Sequence, residues 1–447
     1  MSINTTIHFS LPRIAASSFL PSPPSTTVIL FIISTYLLAI HYLRFSRRDS
    51  MVKKFGYNTR ESFKYMTNTD AQKITSYIGE LEFPRFYKTS LQFALFKTYG
   101  IPTISKLLVD TKQFSSKETA SKRYADTGIL IGEIASHHPL HPRVLKAISR
   151  MNYLHSPYQK AGKISNDDLL YTLSVFITEP IAWIGKYEWR VLNEMEICAI
   201  STFWKGIGDG MGISYEVLKR GHGGKVEWKD GIEFYEDIKE WAEEYERKFM
   251  VPNPYNKRTA DALVPLLLFL VPKALLPFAH DAVGVLMGPL LRSAMIYPEP
   301  SPLNTTITNN VLNTRKYLLA HFSLPRPQWM RVREISSSDD EGIDGRFHST
   351  NYLVHPYYQK PGWWNSWGPM AMVTRVLGGF VPEEVGDEKG MGKGEGRNNE
   401  WRPQGYRFEE IGPEKKEGVG EEDMRRWEER LGRERTGGCP FAFANGK

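Results

Sequence analysis

Three side chains in the first half of the chain are of types and spacings that could hold a metal cofactor and steady oxygen on it. His155 closes the stretch "PRVLKAISRMNYLH" (142–155). Val144, Ile148, Met151 and His155 are separated by 4, 3 and 4 residues. At about 100° per residue they share one helical face. The imidazole therefore points where an apolar stripe points. Its plainest reading is a core histidine with a hydrogen-bond partner. An apolar wall carrying one imidazole is also what a haem needs, because the macrocycle wants apolar contact and the iron wants a strong axial nitrogen. In "SKRYADTGILIGEIA" (121–135), Arg123 and Thr127 lie one helical turn apart on the same face. Beside a cofactor they would supply a fixed positive charge and a hydroxyl donor to a reduced oxygen species. Away from one, Arg123 is a surface or salt-bridged arginine. Gly128 and Gly132 recur at i, i+4. Each costs roughly 1 kcal/mol relative to alanine in a helix, which implies close approach of another helix or of something flat.

Other constellations are weaker. "HHPLH" gathers His137, His138 and His141, but its prolines place them in an exposed loop. A non-haem metal enzyme built there is a distant reading. "NYLVHPYYQKPG" (351–362) echoes "NYLHSPYQKAG" (152–162) and makes His355 the second-choice ligand. It precedes a proline in a turn-rich stretch, with no arginine–threonine helix nearby in sequence. "GIGDGMG" (206–212) lacks the spacing of a nucleotide loop and reads as a loop after the helix "ICAISTFWK". The two cysteines, Cys198 and Cys439, cannot build a disulfide framework and suit reducing cytosol. Cys439 reads as an exposed tail thiol, with oxidation, acylation or weak haem ligation as alternatives.

Helices must position these groups. From about residue 58 to 300 the apolar spacing is helical, as in "DGIEFYEDIKEWAEEYERKF", where Phe234, Ile238, Trp241, Tyr245 and Phe249 form one stripe. The expected fold is all-α, a single globular helical domain behind one N-terminal transmembrane helix. That helix is "TTVILFIISTYLLAIHYL" (26–43), 18 residues without formal charge. Arg44, Arg47, Arg48, Lys53 and Lys54 follow it against one acid, Asp49, whereas residues 1–25 carry only Arg13. The positive-inside rule puts residues 1–25 in the lumen and the bulk in the cytosol. The sequon at Asn4 would then be lumenal and that at Asn304 cytosolic. Net charge is +7, with the basic residues dispersed and no nucleic-acid motif, so the bilayer rather than nucleic acid is the expected partner. Residues 262–297 are very apolar, but Pro265, Pro272, Pro277 and Pro289 break the run, so buried helices are expected there rather than a second span. "YQKPGWWNSWGP" (358–369) suits a cap on the bundle or a tryptophan patch at the membrane interface. The catalytic domain would occupy 44–382. Residues 383–447 read as a flexible, charged, glycine-rich tail in which "EEDMRRWEERLGRER" forms a short solvated helix.

Several stretches together resemble one family. The R-x-x-x-T pair, about thirty residues before a helical histidine followed by "GKISNDDLLYTL", resembles the rubber oxygenase (latex clearing protein) superfamily. "LQFALFKTYGIPTISKLL", "KRYADT", "LHSPYQKAGKISNDDLLYTL", "EWRVLNEMEICAISTFWK", "KFMVPNP" and "GGCPFA" resemble more closely its fungal branch, the ER-bound oxygenases of the mycophenolic acid pathway type (MpaB type). The likeness spans roughly residues 55–440. It implies an all-α fold holding haem b, with His155 as proximal iron ligand and Arg123 and Thr127 as the haem-side pair. It implies O2-dependent scission of a C=C bond in the prenyl side chain of a small molecule in secondary metabolism, at the endoplasmic reticulum membrane. One position departs: Asp126 stands where rubber oxygenase has a distal lysine. Aspartate is a poorer sixth iron ligand and would instead act in proton transfer. The rival reading is a membrane-tethered, non-catalytic binder of prenyl lipids or protein partners.

Overall fold

The computed structural model describes residues 25–112, 117–224, 227–336, 345–352, 354–382, 401–435 and 437–441. Among them are sixteen α-helices and no β-strand. In order these are α1 (Thr26–Leu43), α2 (Ser46–Phe55), α3 (Asn68–Tyr77), α4 (Pro84–Thr98), α5 (Pro102–Asp110), α6 (Lys117–Ser136), α7 (Pro142–Lys160) and α8 (Asn166–Tyr187). There follow α9 (Glu194–Gly210), α10 (Gly231–Phe249), α11 (Pro254–Leu267), α12 (Leu276–Ala294), α13 (Pro302–Phe322), α14 (Trp363–Trp367), α15 (Pro369–Val376) and α16 (Glu421–Glu434). Many starts are written in the sequence. Ser165 and Asp168 cap α8 reciprocally, and Asn193 and Glu196 do the same for α9. Proline fills the first turn of α4, α5, α7, α11, α12 and α13, where its missing N–H costs nothing.

Helix α9 is the axle of the domain. Almost every side chain from Met195 to Gly208 is buried, with α3 and α10 packed along it and α4 laid along α8. One apolar cluster joins α3, α6, α7, α8, α9 and the C-terminal residues, and a second joins α4, α5, α8 and α10 to α12.

Four sequence expectations change. Helix α7 does not stop at His155 but runs on to Lys160, with Pro157 inside it. Proline there removes one backbone donor near the helix end, where the ladder has little left to lose. The expected loop at 206–212 is mostly the last turns of α9. Gly206 and Gly208 let Asn68, Leu173 and Tyr215 press where a Cβ would stand. Two stretches, 26–55 and 273–294, are long and apolar enough to cross a membrane. The second was expected to be broken. The break is there, since Gly288 (φ 72°) interrupts α12 just before Pro289 while Pro277 sits harmlessly in the first turn; what changes is the expected burial. Only 22% of its most apolar window is buried.

The fourth change is the tail. Residues 383–400 lie outside the described residues, but 401–435 and 437–441 are built into the core. Trp401, Tyr406, Phe408, Ile411, Met424, Leu431 and Phe441 are buried, and α16 packs on α7. The segment is charged in bulk, yet most of its few apolar residues face inward, Val419 being the exposed exception. Buried charges fix it in place. The Arg150 guanidinium is fully enclosed and donates to the carbonyls of Ile411 (2.7 Å), Lys416 (2.7 Å) and Val419 (2.8 Å). Glu133 receives Arg143 at 2.5 and 2.9 Å and is also bonded by the Tyr406 hydroxyl. The "GGCPF" end docks on the start of α3, where Gly437 and Gly438 carbonyls take the N–H groups of Thr69 and Asn68. Cys439 is therefore not an exposed thiol. Its Sγ meets the Lys64 carbonyl at 3.2 Å, and burial pushes its pKa up.

Replacing Arg150 by alanine strands the buried Ile411 carbonyl and the part-buried carbonyls of Lys416 and Val419. We expect a loss of about 3 kcal/mol or more in unfolding free energy, and protease cleavage within residues 405–420 before the body unfolds. Chemical denaturation and limited proteolysis check this; an unchanged midpoint would show that the strap is held by its apolar residues alone.

Candidate active site

His155 stands near the end of α7. Its Nδ1 is enclosed and has no hydrogen-bond partner. Burial, and then the nearby Arg123, push its pKa down to about 4. The ring is thus neutral at neutral pH, with a lone pair free. The core-histidine reading requires a partner that Nδ1 does not have. Arg123 on α6 faces the same interior. Its Nε is likewise enclosed without a partner, and its charge reaches Tyr99, a buried residue at the end of α4. Leaving buried polar groups unmet costs about 1–3 kcal/mol each. Two of them, close enough for the Arg123 charge to act on the imidazole, mark a place where a third party is expected.

Thr127 lies one turn along, but its hydroxyl donates to the Arg123 carbonyl at 2.8 Å. A proton spent on its own helix is not available to an oxygen species; what Thr127 offers outward is an acceptor. Asp126 faces elsewhere. Its carboxylate accepts from Tyr358 Oη (2.7 Å), Lys122 Nζ (2.8 Å) and the Gly412 N–H (3.1 Å). The Arg123 charge reaches His155 and the Thr127 hydroxyl is tied to the Arg123 carbonyl, whereas the Asp126 carboxylate is taken up by Tyr358, Lys122 and the Gly412 N–H.

The residues present suit a haem. A neutral imidazole with an unpartnered nitrogen is an iron ligand, and an unpartnered guanidinium is a partner for a carboxylate such as a propionate.

On the opposite face of α6 lies an apolar cavity of about 180 Å³, between α3, α4, α6 and residues from Val332 to Tyr357. Tyr124, Ala125, Gly128, Ile129 and Ile131 form one wall, and His355 and Tyr357 close part of the other. The glycine pair divides its work. Ile335 packs where a Cβ of Gly132 would be, whereas the space over Gly128 is open. The Thr75 hydroxyl in the cavity wall is enclosed without a partner. His355 stacks on Trp401 at 5.5 Å and 8°. Burial pushes the Tyr124 and Tyr99 hydroxyls above their ordinary range, so both stay protonated and uncharged. Sequence reasoning missed Tyr99, Tyr124 and Thr75. Nothing in their spacing marks them, although Tyr99 falls within the stretch "LQFALFKTYGIP".

The "HHPLH" histidines are occupied structurally. His141 caps α7 by accepting the Arg143 N–H, His137 lies 3.2 Å from Glu133, and His138 meets Thr69 at 3.1 Å. Among the described residues no group of three or more potential ligands could hold a metal ion.

Comparison with known proteins adds a second line. An ER-bound oxygenase, mpaB′, of Penicillium brevicompactum is 41% identical over 406 residues, covering 91% of this chain and 92% of that protein. An ER-bound oxygenase mpaB of the same species is 40% identical over 365 residues, 82% of this chain and 85% of that one. One from Penicillium roqueforti is 43% identical over 295 residues, 66% of this chain and 97% of that one. No family model matches the chain.

The histidine makes a pH prediction for protein free of any bound group. Below about pH 6.5 the unfolded chain protonates His155, while the folded chain resists until about pH 4. Stability from this group is therefore complete above pH 6.5 and declines as pH falls toward 4. His155→Leu should make Tm fall less steeply than wild type across that window. Equal slopes would mean the folded imidazole takes its proton normally.

Proposed function

The chain belongs to the family of the ER-bound oxygenases MpaB and MpaB′, and from that membership we propose that it is a haem-dependent oxygenase that cleaves a C=C bond in the prenyl side chain of a small molecule. The observation that carries the haem reading is the neutral, unpartnered nitrogen of His155 set against Arg123. In this reading α1 is the single span, residues 1–25 are lumenal, and the helical body faces the cytosol at the endoplasmic reticulum membrane.

The reaction balances without a further reductant. One alkene and one O2 give two carbonyl fragments, the C=C bond and the O–O bond both being broken. Bound haem b supplies the oxygen-activating chemistry. His155 would hold the iron through a ring nitrogen. Arg123 would hold its positive charge toward a cofactor carboxylate or toward charge developing on oxygen. Thr127 would fix the Arg123 turn of α6 and offer an acceptor. Asp126 would act as a positioning residue, keeping α6 in register with the strap. The cavity over Gly128 would take part of the apolar chain and keep water from it.

The test is expression of the full chain with ample haem and purification in detergent. Wild type should show a Soret band, consume O2 with a prenylated arene, and yield two carbonyl fragments. His155→Ala should lose the band and lower turnover about a hundredfold or more. His355→Ala is the counterpart, because His355 lines the cavity; loss of the band there and not in His155→Ala would transfer the ligand to His355. A wild type without haem that still binds prenyl chains would leave a binding protein.

Gly128 separates the cofactor from the chain. Gly128→Ala should raise stability by about 1 kcal/mol, since the space above it is open. Gly128→Phe should raise KM for the prenylated substrate tenfold or more and leave the Soret band in place. Unchanged KM would remove the cavity from the substrate path.

A further inference from the structure

Where the apolar run of α1 gives way to Arg44, a second cavity of about 240 Å³ opens between α1, α13 and the start of α4. Five arginines line it: Arg44, Arg47, Arg85, Arg315 and Arg326. The two lining carboxylates are already taken. Glu82 lies 3.2 Å from Arg47 and 3.3 Å from Arg190, and Glu188 lies 2.9 Å from Arg315. Arg44, Arg85 and Arg326 have no carboxylate partner among the described residues. Arg44 donates one N–H to the Leu319 carbonyl at 2.7 Å and lays its guanidinium 4.0 Å over Trp189, but its Nη1 is enclosed without an acceptor. The Nε of Arg326 is enclosed in the same way. Burial, and then Arg85 and Arg47, pull the Arg326 pKa down. Gathering cations in a recess, with donors left over, is unfavourable unless an anion joins them. Guanidinium groups fit phosphate oxygens in shape as well as charge.

The position of the cavity narrows the ligand. Arg44 is the first residue after α1. The Tyr36 hydroxyl, seven residues before the end of α1, donates to the Phe322 carbonyl at 2.8 Å. At 1.5 Å per residue this sets the end of α13 roughly 10 Å along α1 from Arg44. Helix α13 presents Leu303, Ile307, Val311, Leu318 and Phe322 to the outside. Their spacing makes one stripe, continuous with the apolar surface of α1. The cavity thus opens at the level where an apolar surface meets a basic one.

We propose that this cavity is a phosphate-binding site, formed by Arg44, Arg85 and Arg326 at the end of α1, that takes the headgroup of an anionic phospholipid of the adjacent leaflet. The lipid source rests on α1 being the membrane span; the phosphate chemistry does not.

The test uses the full chain in a neutral detergent, with the thermal midpoint titrated by dioctanoyl phosphatidic acid, dioctanoyl phosphatidylcholine and inorganic phosphate. Phosphatidic acid should raise the midpoint saturably, while the other two leave it in place at the same concentration. Arg44→Gln and Arg326→Gln should weaken that binding tenfold or more. Arg85 is exposed, so Arg85→Gln should keep the ligand-free midpoint and still weaken binding severalfold. An equal response to inorganic phosphate would overturn the lipid source. No saturable response, or one unchanged in all three variants, would overturn the site.

Discussion

A buried arginine holds this molecule in shape. Arg150 has no exposed surface, and its guanidinium spans three carbonyls of a segment more than 260 residues away. Burying a charge is costly unless its donors are met, and here they are met by backbone that has few other partners. Glu133 with Arg143 and Tyr406, and Asp126 with Lys122, Tyr358 and the Gly412 N–H, repeat the device along α6 and α7. These contacts fasten the strap across the helix pair and so fix the pair itself. The same contacts hold together α6 and α7, the helices that carry Arg123 and His155.

The fold class was legible because the helical stripes are long and the caps explicit. Ser165 with Asp168 and Asn193 with Glu196 announce α8 and α9, and the apolar run at 26–43 announces α1. The strap was not legible. Its composition is that of a tail, and what orders it is a handful of aromatic residues and charges paired across great sequence distance. The glycines of "GIGDG" misled in the same way. Read locally they break a helix; in three dimensions they admit Asn68 and Leu173.

The site was legible in part. Spacing put His155 on an interior face and Arg123 with Thr127 on one turn, and the structure keeps that arrangement. It could not say that the Thr127 proton is spent on the Arg123 carbonyl, or that Asp126 is taken up by Tyr358, Lys122 and the Gly412 N–H. Both depend on hydrogen bonds whose partners no local pattern reveals. Asp126 in place of a lysine reads as altered chemistry in the sequence, and as architecture in the fold. The Gly128 and Gly132 pair was expected to admit another helix or something flat. One of them admits Ile335, and the other opens on an apolar cavity. Burial, helped by the Arg123 charge, keeps the His155 ring neutral, and only a neutral ring can give its lone pair to a metal.

The central claim is that the nitrogen of His155 is the protein's gift to the haem iron. Cavity complementation tests it most directly. His155→Gly is purified in detergent with haem, and free imidazole is titrated in while the Soret band and O2 consumption are followed. The account predicts a weak or shifted band that imidazole restores saturably, together with part of the turnover. A His155→Gly protein whose band and turnover match wild type before imidazole is added would contradict it.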